Sequence, residues 1–183
     1  MRAVIDTSSL LALVRYYLPF DKNNSLKNFF KEKIEIGEII VLDKVIDESR
    51  YVSKGVILTE LDFLKNKTVK SAEILPTSKF FSQLENQLCQ GVQKNRLNAA
   101  EFEIKKGSFL DSADCKQILF CIKDNKNLNF DTAFIVSEET KTENDNKLFK
   151  KLPEICDILG IKHRNLPSLL KDYFKINLSD FLE

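Results

Sequence analysis

Three short, unbroken apolar runs constrain this chain more than anything else in it. Ala3-Val4-Ile5 runs into Asp6-Thr7-Ser8-Ser9, Ile39-Ile40-Val41-Leu42 into Asp43, and Ala133-Phe134-Ile135-Val136 into Ser137-Glu138-Glu139. A strand that is apolar at every position, rather than at every second one, is buried on both faces. Such strands belong to a parallel sheet covered by helices on each side. The intervening segments carry helical spacing. Leu10, Leu11, Leu13, Val14, Tyr17 and Leu18 lie before a stop at Pro19, and a second helix is expected over Leu26–Ile34 before Gly37. Asp43 is expected to open a helix through Val45, Ile46 and Glu48, and Asp111 a strong one through Ile118, Leu119 and Ile122. Pro153–Leu159, ended by Gly160, and Pro167–Tyr173 read as further helices, with Ile161-Lys162-His163 a last short strand.

The alternation predicts one α/β domain over residues 1–183, with helices on both faces of a central parallel sheet. The stretch 66–107 reads as a helical elaboration. Helices are expected over Lys79–Val92 and Asn98–Lys106, and Ile74-Leu75 as an edge strand before Pro76. Lys141–Asn146 is polar and reads as a loop.

Composition narrows the function classes. The 28 Lys+Arg against 27 Asp+Glu leave a net charge of +1, so any basic track for a nucleic acid must be local. Candidate members are Lys105, Lys106, Lys123, Lys126, Lys147, Lys150 and Lys151, with Arg15 a candidate phosphate contact. Cys89, Cys115, Cys121 and Cys156 form no CxxC or CxxH pair, which argues against zinc and for reduced, buried thiols. Met1-Arg2 leads directly into a strand and no apolar run reaches the roughly 18 residues of a membrane span. A cytoplasmic protein that does not enter the membrane is the expectation.

In an open parallel sheet, ligands bind outside the carboxyl ends of the strands. Asp6 directly follows the first strand, and Glu138 and Glu139 follow the strand over Ala133–Val136. Glu48 and Asp114 lie on helices that follow other parts of the chain. Each acid alone has a plain structural explanation. Asp6 or Asp111 can cap a helix, and Glu48, Glu138 and Glu139 can be solvated charges. Together they suggest a cluster. Clustered carboxylates stay ionised only with cations among them, and oxygen ligands select hard ions such as Mg²⁺ or Mn²⁺. The chemistry such ions support is phosphodiester hydrolysis.

This set of segments resembles the PIN-domain nucleases, and within them the PIN-like branch known as DUF4411. The resemblance is carried by Val4-Ile5-Asp6-Thr7-Ser8, Val45-Ile46-Asp47-Glu48, Asp111-Ser112-Ala113-Asp114 and Phe134-Ile135-Val136-Ser137-Glu138-Glu139. It is completed by Leu152-Pro153-Glu154-Ile155-Cys156 leading to Leu159-Gly160-Ile161. It leaves 66–107 unmatched. The resemblance implies a PIN-like three-layer α/β/α fold and a Mg²⁺- or Mn²⁺-dependent endoribonuclease acting on single-stranded RNA. It also implies the toxin of a bacterial toxin–antitoxin pair, with an antitoxin protein and a second copy of the chain as partners. Asp6, Glu48, Asp114 and Glu138 match the metal-site acids, with Thr7 or Ser8 as the accompanying hydroxyl. Glu138 stands where most of the wider family has Asp. Asp47 and Asp111 remain alternatives to Glu48 and Asp114, with Asp111 otherwise a helix cap. The other reading is a PIN-like module that has lost turnover and binds RNA or protein. His163, the only histidine, reads as structural or surface.

Overall fold

All three apolar runs become adjacent strands of one sheet in the computed structural model, which describes residues 1–126, 132–141 and 146–181. The strands are β1 (Arg2–Ile5), β2 (Ile39–Ile40), β3 (Ala133–Val136) and β4 (His163–Arg164), all parallel, in the order β2-β1-β3-β4. Successive side chains of a strand point to opposite faces. Ala3, Val4, Ile5, Phe134, Ile135 and Val136 are all buried, so both faces of the sheet are covered and the architecture is three-layered, α/β/α.

The described α-helices are α1 (Thr7–Ala12), α2 (Ser25–Glu35), α3 (Asp43–Ser49), α4 (Val56–Glu60), α5 (Ser78–Gln83) and α6 (Gly91–Lys94). They continue with α7 (Ala99–Leu110), α8 (Ala113–Asn125), α9 (Leu152–Leu159) and α10 (Leu166–Ser168). Helix α8 packs on β3, α2 on β2 and α9 on β4. Gly160 ends α9 in the left-handed region, at φ 68°, where a residue with a Cβ would be strained. Among the described residues no helix is long and apolar enough to cross a membrane.

Several local expectations change. Asp111 does not open α8. It ends α7 and pairs with Lys44 Nζ at 2.6 Å, while Ser112 adopts the extended cap conformation and accepts from the Cys115 amide at 3.2 Å. Ile74-Leu75 is not an edge strand. The Ile74 amide closes a turn onto the Ser71 carbonyl, and its own carbonyl accepts from the buried Lys116 ammonium at 3.2 Å. Val69 instead bridges Leu42 beyond β2. The helix expected over Lys79–Val92 breaks at Cys89, where Leu88, Cys89 and Gln90 run against Leu148, Phe149 and Lys150 as an antiparallel clip. Of the loop expected at Lys141–Asn146, residues 142–145 lie outside the described ones.

At the amino ends of the strands, Arg2 Nε donates to the buried Asp124 carboxylate at 3.2 Å and its guanidinium lies over the Phe120 ring.

Candidate active site

From β1 the chain passes to β2 on one side and returns to β3 and β4 on the other. The order therefore reverses between β1 and β3, and a crevice opens at their carboxyl ends. Ile5 pairs with Val136, and the Asp6 amide donates to the Val136 carbonyl at 2.9 Å. This register brings Asp6 and Ser137-Glu138-Glu139 off neighbouring strands together.

Asp6 is buried, in the extended conformation that starts α1. One carboxylate oxygen accepts from the Ser8 amide at 3.1 Å and the Ser8 hydroxyl at 2.6 Å, and the other from Gln117 Nε2 at 2.9 Å. Capping is thus only part of its role, because Gln117 approaches from the distant helix α8. The Ser8 hydroxyl also accepts from the Glu138 amide at 3.0 Å, locking the two strand ends together. Thr7 Oγ1 donates to Glu48 at 2.9 Å, which brings α3 to the same crevice.

The electrostatics identify which acids face one another. Asp114, in the first turn of α8, keeps part of its surface accessible, yet its carboxyl is pushed up to about 8. Burial of the carboxyl is the largest cause, followed by repulsion from Asp6, Glu139 and Glu48, with Lys147 opposing. Glu48 is raised too. Burial of its carboxyl dominates although the residue as a whole is exposed, the Thr7 hydrogen bond opposes it, and Asp6 and Glu139 add to it. A group titrating well above its ordinary range beside other acids is typical of a functional pocket.

Asp6, Glu48 and Asp114 are therefore brought together from three separated segments. The fourth acid acting on Asp114 and Glu48 is Glu139, which accepts from the Leu152 amide at 3.2 Å. Glu138 sits beside them, but its carboxylate accepts from Ser9 Oγ at 3.0 Å and the Leu166 amide at 2.7 Å. Asp47 pairs with Arg50 and Asp111 with Lys44, both outside the cluster. Among the described residues no three His, Cys, Asp or Glu side chains converge at ligating geometry. Arg15 donates to Ser53 at 2.5 Å.

These strand ends belong to a recognised family. Residues 4–174 match the family described as "Domain of unknown function (DUF4411)". The chain belongs to the DUF4411 family. The match takes in the end of β1, all of β3 and every acid of the cluster, and it also runs through 66–107. The DUF4411 chain is also similar to arginine–tRNA ligase 1 of a Bacillus cereus strain and of Bacillus thuringiensis subsp. konkukian. Each is 22% identical over 148 residues, covering 81% of this chain and 26% of the ligase. The chain thus spans about a quarter of the length of these curated relatives. No solved structure matches it.

One residue at these strand ends, Gln117, has no counterpart in the sequence reading, and His163, read there as structural or surface, lies beside them. Gln117 lies one turn after Asp114 on the same helix face, a spacing that places a buried amide toward the same crevice. Its Oε1 is buried without a hydrogen-bond partner, the one such side-chain atom among the described residues. His163 sits closer than its sequence position suggests. Pairing of β3 with β4 sets its ring against Ser137 Oγ at 3.2 Å, and burial lowers its pKa while Glu139, Asp157, Glu138 and Asp6 raise it.

Proposed function

We propose that this DUF4411 protein is a divalent-metal-dependent endoribonuclease that hydrolyses RNA phosphodiester bonds. The observation that carries the reading is the meeting of Asp6, Glu48, Asp114 and Glu139 at the reversal point of a parallel sheet, raising the Asp114 carboxyl to about 8. The donor chemistry fits a hard cation. It is all oxygen, it holds more negative charge than it can comfortably ionise, and Gln117 Oε1 adds an unpartnered buried oxygen beside Asp6. Asp6, Glu48 and Asp114 would hold Mg²⁺ or Mn²⁺, with Glu138 and Glu139 flanking. When bound, the ion supplies positive charge against the phosphate and its transition state. The chain's own residues do the rest. Ser8 and Gln117 orient the Asp6 carboxylate, Thr7 orients Glu48, and Asp114 would have to be deprotonated, its proton passing to solvent, to serve as a ligand.

The resemblance to PIN-domain nucleases extends the proposal. The protein would be the toxin of a bacterial toxin–antitoxin pair, acting in the cytoplasm on single-stranded RNA. An antitoxin protein would block the acidic crevice, and a second copy would form a homodimer. By name the similar ligases handle tRNA, so tRNA belongs among the substrates to be tried.

The test is cleavage of RNA with added Mn²⁺. Withdrawing several kcal/mol of charge stabilisation predicts a loss on the order of 10³-fold for Asp6→Asn. Cleavage that survives this substitution would remove Asp6 from the mechanism. One observation favours a second reading, an RNA- or protein-binding module without turnover. One oxygen of the Glu138 carboxylate, Oε1, is already taken by both Ser9 and Leu166. A melting temperature indifferent to millimolar Mg²⁺ and Mn²⁺ would decide for that module.

A further inference from the structure

Beside the acids lies a cavity of about 270 Å³ that they do not account for. Asp114 and Glu139 are among its lining residues. The rings of Phe109 and Phe149, parallel to within 24° and 4.3 Å apart, line it too, together with Lys105 and Lys147. Both rings are half-buried. Phe109 comes from α7, whose start is fixed by the reciprocal Asn98–Glu101 capping box. Phe149 is held by the clip, through Gln90 N to Leu148 O at 2.8 Å and Lys150 N to Leu88 O at 2.9 Å. Helix α7 and the clip thus build part of a pocket that Asp114 and Glu139 also line.

We infer that this cavity is a base-binding subsite, which receives one unstacked nucleobase of a single-stranded RNA on the Phe109–Phe149 pair while its flanking phosphates pass the lysines toward the acids. Aromatic rings beside positive charge are the pairing that holds single strands, because every base has a stackable face and every link a phosphate. The volume lies just under the roughly 300 Å³ at which small-molecule sites begin, which suits one planar ring rather than an extended ligand. Lysines alone would serve an acidic peptide equally, and the parallel rings favour the base. The inference rests on the nuclease reading for its choice of RNA, and it adds what positions the strand.

The test reads binding and cleavage separately. Binding of a fluorescein-labelled single-stranded RNA octamer is followed by anisotropy in Mg²⁺ on the Asp6→Asn background. Adding Phe149→Leu should weaken it about tenfold, and a flush duplex of the same sequence should bind about tenfold more weakly than the single strand. Phe149→Tyr, which keeps the ring, should stay within about twofold. Lys105→Glu, on the exposed side of α7, tests the site without touching the core, and should lower affinity about threefold with a shallower salt dependence. If Phe149→Leu and Lys105→Glu both bind as the parent does, or if the duplex binds equally well, the subsite is overturned. Capture of an octaglutamate peptide in place of RNA overturns it as well. The two readings fail separately. Phe149-dependent binding with no Mn²⁺ cleavage by the unsubstituted protein leaves the subsite and sinks the nuclease. Cleavage with an unchanged KM in Phe149→Leu does the reverse.

Discussion

The two ends of the central sheet treat buried acids in opposite ways. At the amino end, Asp124 is matched by Arg2, whose guanidinium is further covered by Phe120. At the carboxyl end, Asp6 and Glu48 are held by the neutral donors Ser8, Gln117 and Thr7, and the neighbouring acids Asp6 and Glu139 add to the burial that raises Asp114 and Glu48. A buried carboxylate facing an arginine is structural glue, and its charge is settled within the fold. Carboxylates facing hydroxyls, an amide and each other retain negative charge that something from outside can satisfy. The contrast separates an acid whose charge the fold meets from acids whose charge it leaves largely unmet.

The contrast can be broken most forcefully at the amino end. Arg2→Ala should cost about 3 kcal/mol in denaturant unfolding, because it leaves Asp124 buried without its guanidinium. A change within error would mean that the pair contributes nothing. At the other end, Mn²⁺ at a hundred times its dissociation constant should stabilise the protein by about 2.7 kcal/mol. Asp114→Asn should lose most of that gain, and calorimetry with and without chelator reads both.

The third effect is in pH. Asp114 titrates near 8 in the fold against an ordinary 3.8, so between those values the unfolded chain has released a proton that the folded one keeps. Metal-free stability should therefore fall as pH rises from about 4 to 8 and level off beyond. Glu48 acts in the same direction, whereas His163, with its pKa lowered by burial, acts oppositely below its ordinary value of 6.5. Asp114→Asn should flatten the fall and leave the metal-free protein more stable than the parent at pH 8. An unchanged profile would show that Asp114 is ordinary. The smallest effect is expected of Thr7→Val, which removes one donor to Glu48. About 1 kcal/mol, or roughly fivefold in Mn²⁺ affinity, is expected by titration calorimetry.

The carboxyl edge was largely legible from the sequence. Ala3–Ile5 and Ala133–Val136 are apolar at every position, a pattern only a doubly covered strand requires, and their ends locate Asp6 and Glu138-Glu139 without further knowledge. Glu48 and Asp114 needed the order of segments, because a helix face alone does not say what it meets. What stayed hidden depended on tertiary partners. Asp111 and Ser112 are both good cap residues, and the competition was settled by Lys44, 67 residues away, drawing off the Asp111 carboxylate. Ile74-Leu75 has strand composition, but Lys116 takes the carbonyl that a ladder would use. Glu138 and Glu139 are indistinguishable in sequence. The Ser9 hydroxyl and the Leu166 amide draw one aside, while the other faces Asp114.

The clip between Leu88–Gln90 and Leu148–Lys150 carries a consequence for the order of events. It joins distant stretches of chain through a few backbone hydrogen bonds, whereas Val4 of β1 and Ile135 of β3 are fully enclosed. Small openings of a native protein begin where protection is thinnest. Amides of the clip should thus exchange with solvent long before those of Val4 or Ile135, and the aromatic wall can loosen and reseat while the acids keep their positions. On the proposed reading, a strand of RNA would be admitted or released there without disturbing Asp6.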